Sequence, residues 1–179
     1  MELLSPSGMQ RIRTAIASHY DFLVHCAPQD RVPSILMEGL QPSNPGAALD
    51  ADMECVKRFL GSAYPPILCF TPPEQRIKLG LVEFAIATAD LPERVGIDWS
   101  FSEYWWWVDN EHRQNPDESI EQIVLRAFGV FRSIVTYDSV PSSLLRVRVQ
   151  DSTVDPHTWP QFQTVSDYKD LFIYRGTPL

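Results

Sequence analysis

No apolar run in this sequence of 179 residues approaches the ~20 residues of a membrane-spanning helix. Its opening, MELLSPSGMQ, lacks a basic region followed by a long apolar stretch. No secretory leader is expected there, and the cytoplasm is the default compartment. Cysteine is scarce. Cys26, Cys55 and Cys69 are odd in number and form no CxxC pair, which reads as reduced thiols rather than a disulfide framework. His19, His25, His112 and His157 are scattered and make no zinc pattern, so no metal is expected. Walker loop, GxGxxG, GxSxG and HExxH are all missing. That argues against classical ATPases, Rossmann dehydrogenases, α/β-hydrolases and zincins. Positive charge is short as well. A net charge of −8 argues against a protein that coats duplex DNA, because phosphate binding is driven by clustered Lys and Arg. A narrow pocket for one nucleotide stays compatible, since the local field decides there.

What remains is an ordinary globular composition, 44% hydrophobic, long enough to bury a core without staples. No repeat, low-complexity segment or composition shift divides it, so one domain over residues 1–179 is expected. Met9, Ile12, Ile16 and Tyr20 stand at helical spacing and predict a helix over 9–20. FLVH (22–25) reads as a short strand. RVPSILMEGL follows as a helix, with Asp30 as cap, Pro33 in the first turn and Gly39 as stop. Residues 42–66 form a long connection containing a short helical candidate, DMECVKRFL. PILCFT (66–71) and GLVEFAIATA (80–89) read as strands. SIEQIVLRAF (119–128) is too densely apolar to separate strand from helix by period. RSIVTYDS and SLLRVRVQD are strands. In the second, Leu145, Val147 and Val149 alternate with Arg146 and Arg148, which predicts one wet face. The tail, DPHTWPQFQTVSDYKDLFIYRGTPL, carries aromatic anchors and is expected to pack across the body. Short strands with few helices give an α+β class.

Several residues invite chemistry. A histidine at a strand end, as His25 is, can bond a ribose or a backbone carbonyl with either ring nitrogen. A satisfied structural role is the commoner use of a lone histidine. Gly39 by itself needs only positive φ. Glu121 lies inside the apolar run SIEQIVL, where an unpaired carboxylate is costly; a buried acid facing a cleft is a catalytic candidate, and an exposed strand position is the plain alternative. Glu118, three residues earlier, falls in a more polar stretch. Lys57, Arg58 and Arg76 lie in loops where a phosphate could be met. In YWWW (104–107), three consecutive tryptophans cannot all face one core. At least one ring is expected at the surface, where it can stack a base.

Taken in chain order, VHCAPQDRVPSILMEGL, YPPILCFTPPEQ, IDWSFSEYWWW, NPDES, IEQIV and SIVTYDS resemble the DarT family of ADP-ribosyltransferase toxins over roughly residues 22–138. His25 stands at the family's motif histidine, Ala27 at its threonine and Gly39-Leu40 at its Gly-Leu. The resemblance implies an ADP-ribosyltransferase-like fold: two small, mostly antiparallel sheets around an NAD cleft, with a few helices. It implies NAD contacts at His25, Cys26, Ala27, Gly39, Leu40 and Phe70, with Glu121 as catalytic acid and Arg58 helping to activate the acceptor. The implied reaction is mono-ADP-ribosyl transfer from NAD to a nucleobase, in this family in single-stranded DNA, with an antitoxin as a further partner. Three departures stand beside it. Ala27 lacks the threonine hydroxyl, ATADLPERVGIDW is shorter than its counterpart and lacks a histidine, and Arg58 is a loose match for the loop arginine, a place Arg76 also competes for. A second alignment takes RSIVTYDSVP as the glutamate strand. It puts Ser133 at the acid's position and implies a fold that binds a nucleotide or a protein partner without turnover.

Overall fold

A computed structural model of the chain describes residues 4–43, 65–75, 81–98 and 102–173. The class is α+β, as expected, with four α-helices and two three-stranded sheets among the described residues. The chain forms two compact units, each drawn from three separated stretches. The first comprises Met1–Ile16, Pro42–Cys69 and Glu93–Asp138; the second comprises Ala17–Gln41, Phe70–Pro92 and Ser139–Leu179. None of the described helices is long and apolar enough to cross a membrane.

In the first unit, helix α1 (Pro6–Ala17) buries Met9, Ile12 and Ile16, the face its spacing predicts. It begins at Pro6 and stops before Tyr20. Ser5 sets the start: its Oγ accepts from the Gly8 N–H at 3.1 Å, and its carbonyl accepts from Met9 at 2.9 Å. A serine cap followed by proline outranks the apolar period in fixing that end. Helix α3 (Ser102–Gln114) and helix α4 (Ile120–Phe131) follow. The ambiguous run SIEQIVLRAF is therefore helical. Its start is a capping box, in which the Ser119 side chain accepts from the Gln122 N–H and the Gln122 side chain accepts from the Ser119 N–H. Those two bonds satisfy orphan amides that a strand would not have. Ile123, Val124 and Ala127 form the buried stripe. Tyr104 is buried on α3 and donates to the Val124 carbonyl at 3.2 Å. Trp106 is 60% exposed, while Trp107 lies under the Arg126 guanidinium at 5.9 Å. Arg126 also bridges Glu111 and Glu118. The sheet has the order β2-β5-β4, from β2 (Leu68–Phe70, whose last residue falls in the second unit), β4 (Val95–Ile97) and β5 (Ile134–Thr136), with β4 and β5 antiparallel.

In the second unit, β1 (Phe22–Pro28), β3 (Leu81–Ala87) and β6 (Leu145–Val147) form an antiparallel sheet in the order β1-β3-β6. Helix α2 (Val32–Glu38) carries Pro33 at its start, and Gly39 ends it as expected. Asp30 does not cap it. It sits in a 3-10 turn, Gln29–Arg31, and the cap position is Arg31, with no side-chain bond. A turn of 3-10 helix run directly into α2 supplies the bonding that a side-chain cap would.

The expectation of a wet face on β6 fails at Arg148. That guanidinium is only 13% exposed, bonds the buried Glu83 carboxylate at 2.8 Å, and lies 3.8 Å from the centre of the Phe172 ring. The tail covers it, as its aromatic anchors suggested. Trp159 packs on Val24 and Ala85, Phe162 meets Phe84 edge-on at 5.1 Å, and Val149 bridges Leu171. Arg146 reaches the Trp159 carbonyl at 2.9 Å. Period-2 alternation marks which side chains share a face; it says nothing of what a later segment lays over that face.

Gly39 has φ +76° and ψ −173°, a region essentially confined to glycine. A Cβ there would also strike the Val140 carbonyl oxygen, which is held by the Leu40 N–H at 2.8 Å. We expect Gly39→Ala to lower stability by at least about 2 kcal/mol, read as a shift in the urea midpoint at unchanged m.

Candidate functional site

Strand β1 positions most of the candidate binding residues. Val24 exchanges both backbone bonds with Thr71, at 2.8 and 2.9 Å. Antiparallel alternation then gives His25 to β3, opposite Phe84, and turns the Cys26 N–H and C=O toward the same edge as Val24's. The His25 ring is half-buried and meets Phe70 in a T-shaped contact, centroids 5.9 Å apart. Phe70 is fully buried, so it acts as a support behind the imidazole. Ala27 is buried too, and its methyl packs where a threonine would have brought a hydroxyl. Thus His25, Cys26 and Ala27 share β1, and Phe70, at the end of β2, meets His25. Gly39 and Leu40 are joined instead to Val140, through the helix stop and the bridge described above. Arg58, Lys57 and Arg76, like the helical candidate DMECVKRFL, lie outside the described residues.

Glu121 belongs to the first unit, in the first turn of α4, and is half-buried. Its Oε1 accepts from the Ser5 hydroxyl at 2.6 Å and from the Ser5 N–H at 3.3 Å. The same hydroxyl accepts from Gly8, so one serine caps α1 and holds the acid. Gly8 gives the carboxylate room, since a Cβ there would collide with Oε1. A negative charge at the positive end of two helices is favourable in itself. Glu118 is paired with Arg126 at 2.7 Å. Ser133, at the head of β5, is 9% exposed.

Sequence reading passed over Ser5 and Gly8. The signal was present, because a serine before Pro6 marks a helix start, but its link to an acid 116 positions away is a tertiary fact. It also passed over Asp98. This carboxylate is buried at the end of β4, and the Cys69 thiol lies 3.5 Å from it. Burial first, and the Asp98 charge second, push the Tyr104 phenol well above its ordinary value near 10.

No family model, no curated protein and no solved structure matches this chain.

Two outcomes follow from this geometry. In a double-mutant cycle, Ser5→Ala and Glu121→Ala should show a coupling of about 1.5 kcal/mol, as expected for a bond to a charged group, measured by urea unfolding. The second concerns alkali. Unfolded Tyr104 ionises near pH 10, while the folded phenol keeps its proton to higher pH. Its contribution is complete below about pH 10 and is lost as pH rises. Stability between about pH 9 and 11 should therefore fall more steeply in the wild type than in Tyr104→Phe, by up to about 1.4 kcal/mol per pH unit.

Proposed function

We propose that the chain is a nucleotide-binding module of the ADP-ribosyltransferase type that takes NAD along the edge of β1 and does not turn it over. The observation that carries this reading is the state of Glu121: its carboxylate already serves as the tie between α1 and α4. Breaking the ribose–nicotinamide bond leaves an oxocarbenium-like sugar, and a carboxylate beside the ribose is what stabilises that charge. Glu121 stands on a helix, whereas strand β5 begins beside Ser133, in keeping with the second alignment. A serine hydroxyl is neutral and offers no such stabilisation. On this reading the nicotinamide lies along β1 at Cys26. The His25 imidazole, steadied by Phe70, bonds the adenosine ribose. Ala27 adds an apolar contact.

A second reading, an active mono-ADP-ribosyltransferase acting on a base in single-stranded DNA, has one observation in its favour. The exposed Trp106 ring is free of the core and suits base stacking, worth about 1–3 kcal/mol per base. The two readings part on consumption of NAD. Calorimetry should show NAD binding that His25→Ala weakens about tenfold, equivalent to one lost hydrogen bond. With labelled NAD and single-stranded DNA, neither transfer nor nicotinamide release should occur. Transfer by the wild type that disappears in Glu121→Ala would establish the transferase instead.

A further inference from the structure

A cavity of about 530 Å³ in the second unit is lined by Gln29, Gln150, Lys169, Leu171, Phe172 and Ile173. It shares no residue with the proposed NAD edge. Its volume falls in the range of small-molecule pockets, about 300–1,000 Å³.

Its chemistry runs against the rest of the chain. In a protein of net charge −8, the only charged group among these lining residues is the Lys169 ammonium. That ammonium makes no ion pair with a carboxylate among the described residues. Lys169 is exposed, and a cation beside a half-open cavity, without a carboxylate partner among the described residues, can anchor an anion.

The walls are fixed. Phe172 donates its N–H to the Arg148 carbonyl at 2.9 Å, and its ring is held by the Arg148 guanidinium, itself locked on Glu83. Gln150 bonds Asp170 through its N–H at 2.9 Å and the Lys169 carbonyl through its side chain at 2.8 Å. The Lys169 N–H is in turn taken by Asp167 at 2.9 Å. The backbone that carries the cation and the aromatic wall is therefore already ordered, which lowers the cost of binding. Phe172, Leu171 and Ile173 supply apolar surface, and two carboxamides, Gln29 and Gln150, supply both donors and acceptors.

We propose that this cavity is a second binding site, for a small aromatic monoanion or dianion: a flat apolar body against Phe172, and a carboxylate or phosphate on Lys169. The site is independent of the NAD reading and stands or falls without it.

The test is an NMR titration of the full chain with phenyl phosphate and with benzoate, using cyclohexyl phosphate and inorganic phosphate as controls. The expected result is saturable shifts at Gln29, Lys169 and Phe172 with either aromatic anion. Cyclohexyl phosphate should bind at least threefold more weakly, and inorganic phosphate should leave these signals unmoved. Lys169→Gln should weaken binding about tenfold with an unchanged amide spectrum elsewhere, because the Lys169 side chain makes no hydrogen bond or ion pair among the described residues. Phe172→Leu, a second variant, should abolish the preference for an aromatic ring. Absence of saturable shifts up to the solubility of both aromatic anions would overturn the proposal, and so would equal binding by Lys169→Gln.

Discussion

The hydrogen bonding of strand β1 governs the second unit. On one side it is paired with β3 along its whole length, from Phe22 opposite Ala87 to Pro28 opposite Leu81. On the other it meets Thr71 at Val24. Every other structural choice in this unit serves that strand. Trp159 from the tail packs on Val24 and Ala85, with Phe22 and Cys26 at the margin, and Phe70 fixes the ring of His25. The turn after Pro28 leads straight into α2, whose end is pinned by Gly39 and Leu40 on Val140. A strand so supported presents its backbone with little freedom, and that rigidity is what a ligand recognised by amide groups requires.

The first unit is organised differently. Its helices are tied by polar contacts at their ends: Ser119 with Gln122, Ser5 with Gly8, and Glu121 with Ser5. A carboxylate in such a position has two uses open to it, and they compete. As a tie it must stay bonded to Ser5. As a catalyst it would have to direct its charge at a developing cation, and the bond at 2.6 Å already draws that charge toward a hydroxyl. The tie and the small residue at Gly8 that admits it explain each other without any ligand. Asp98 shows the other kind of acid in this unit: buried, near a thiol and a phenol, and able to change the behaviour of Tyr104 in alkali.

Much of the fold was legible in the sequence, because its signals were local. Met9, Ile12 and Ile16 named the buried face of α1, Gly39 the end of α2, and the apolar runs all three strands of the second unit's sheet. What could not be read was whatever depends on distant partners. Density of apolar residues leaves SIEQIVLRAF undecided, whereas the Ser119 to Gln122 box favours a helix. Alternation on β6 implied a wet Arg148, which the tail then covered. For the candidate site, His25, Cys26 and Ala27 share one strand because β1 runs on to Pro28, beyond FLVH, the stretch that read as strand. The occupation of Glu121 by Ser5 was not legible, since nothing in either local stretch points to the other. The exposed ring among the tryptophans was foreseen because no regular structure turns three successive side chains to one core; among the described rings it is Trp106.

The account rests most heavily on β1 as the place where a nucleotide is held. The most direct measurement is amide mapping by NMR as NAD is added, with the dinucleotide followed in the same tube. The account predicts saturable shifts centred on His25 and Cys26, with the nicotinamide signals remaining those of intact NAD. Shifts that leave His25 and Cys26 untouched would contradict the binding site, and release of free nicotinamide would contradict the absence of turnover.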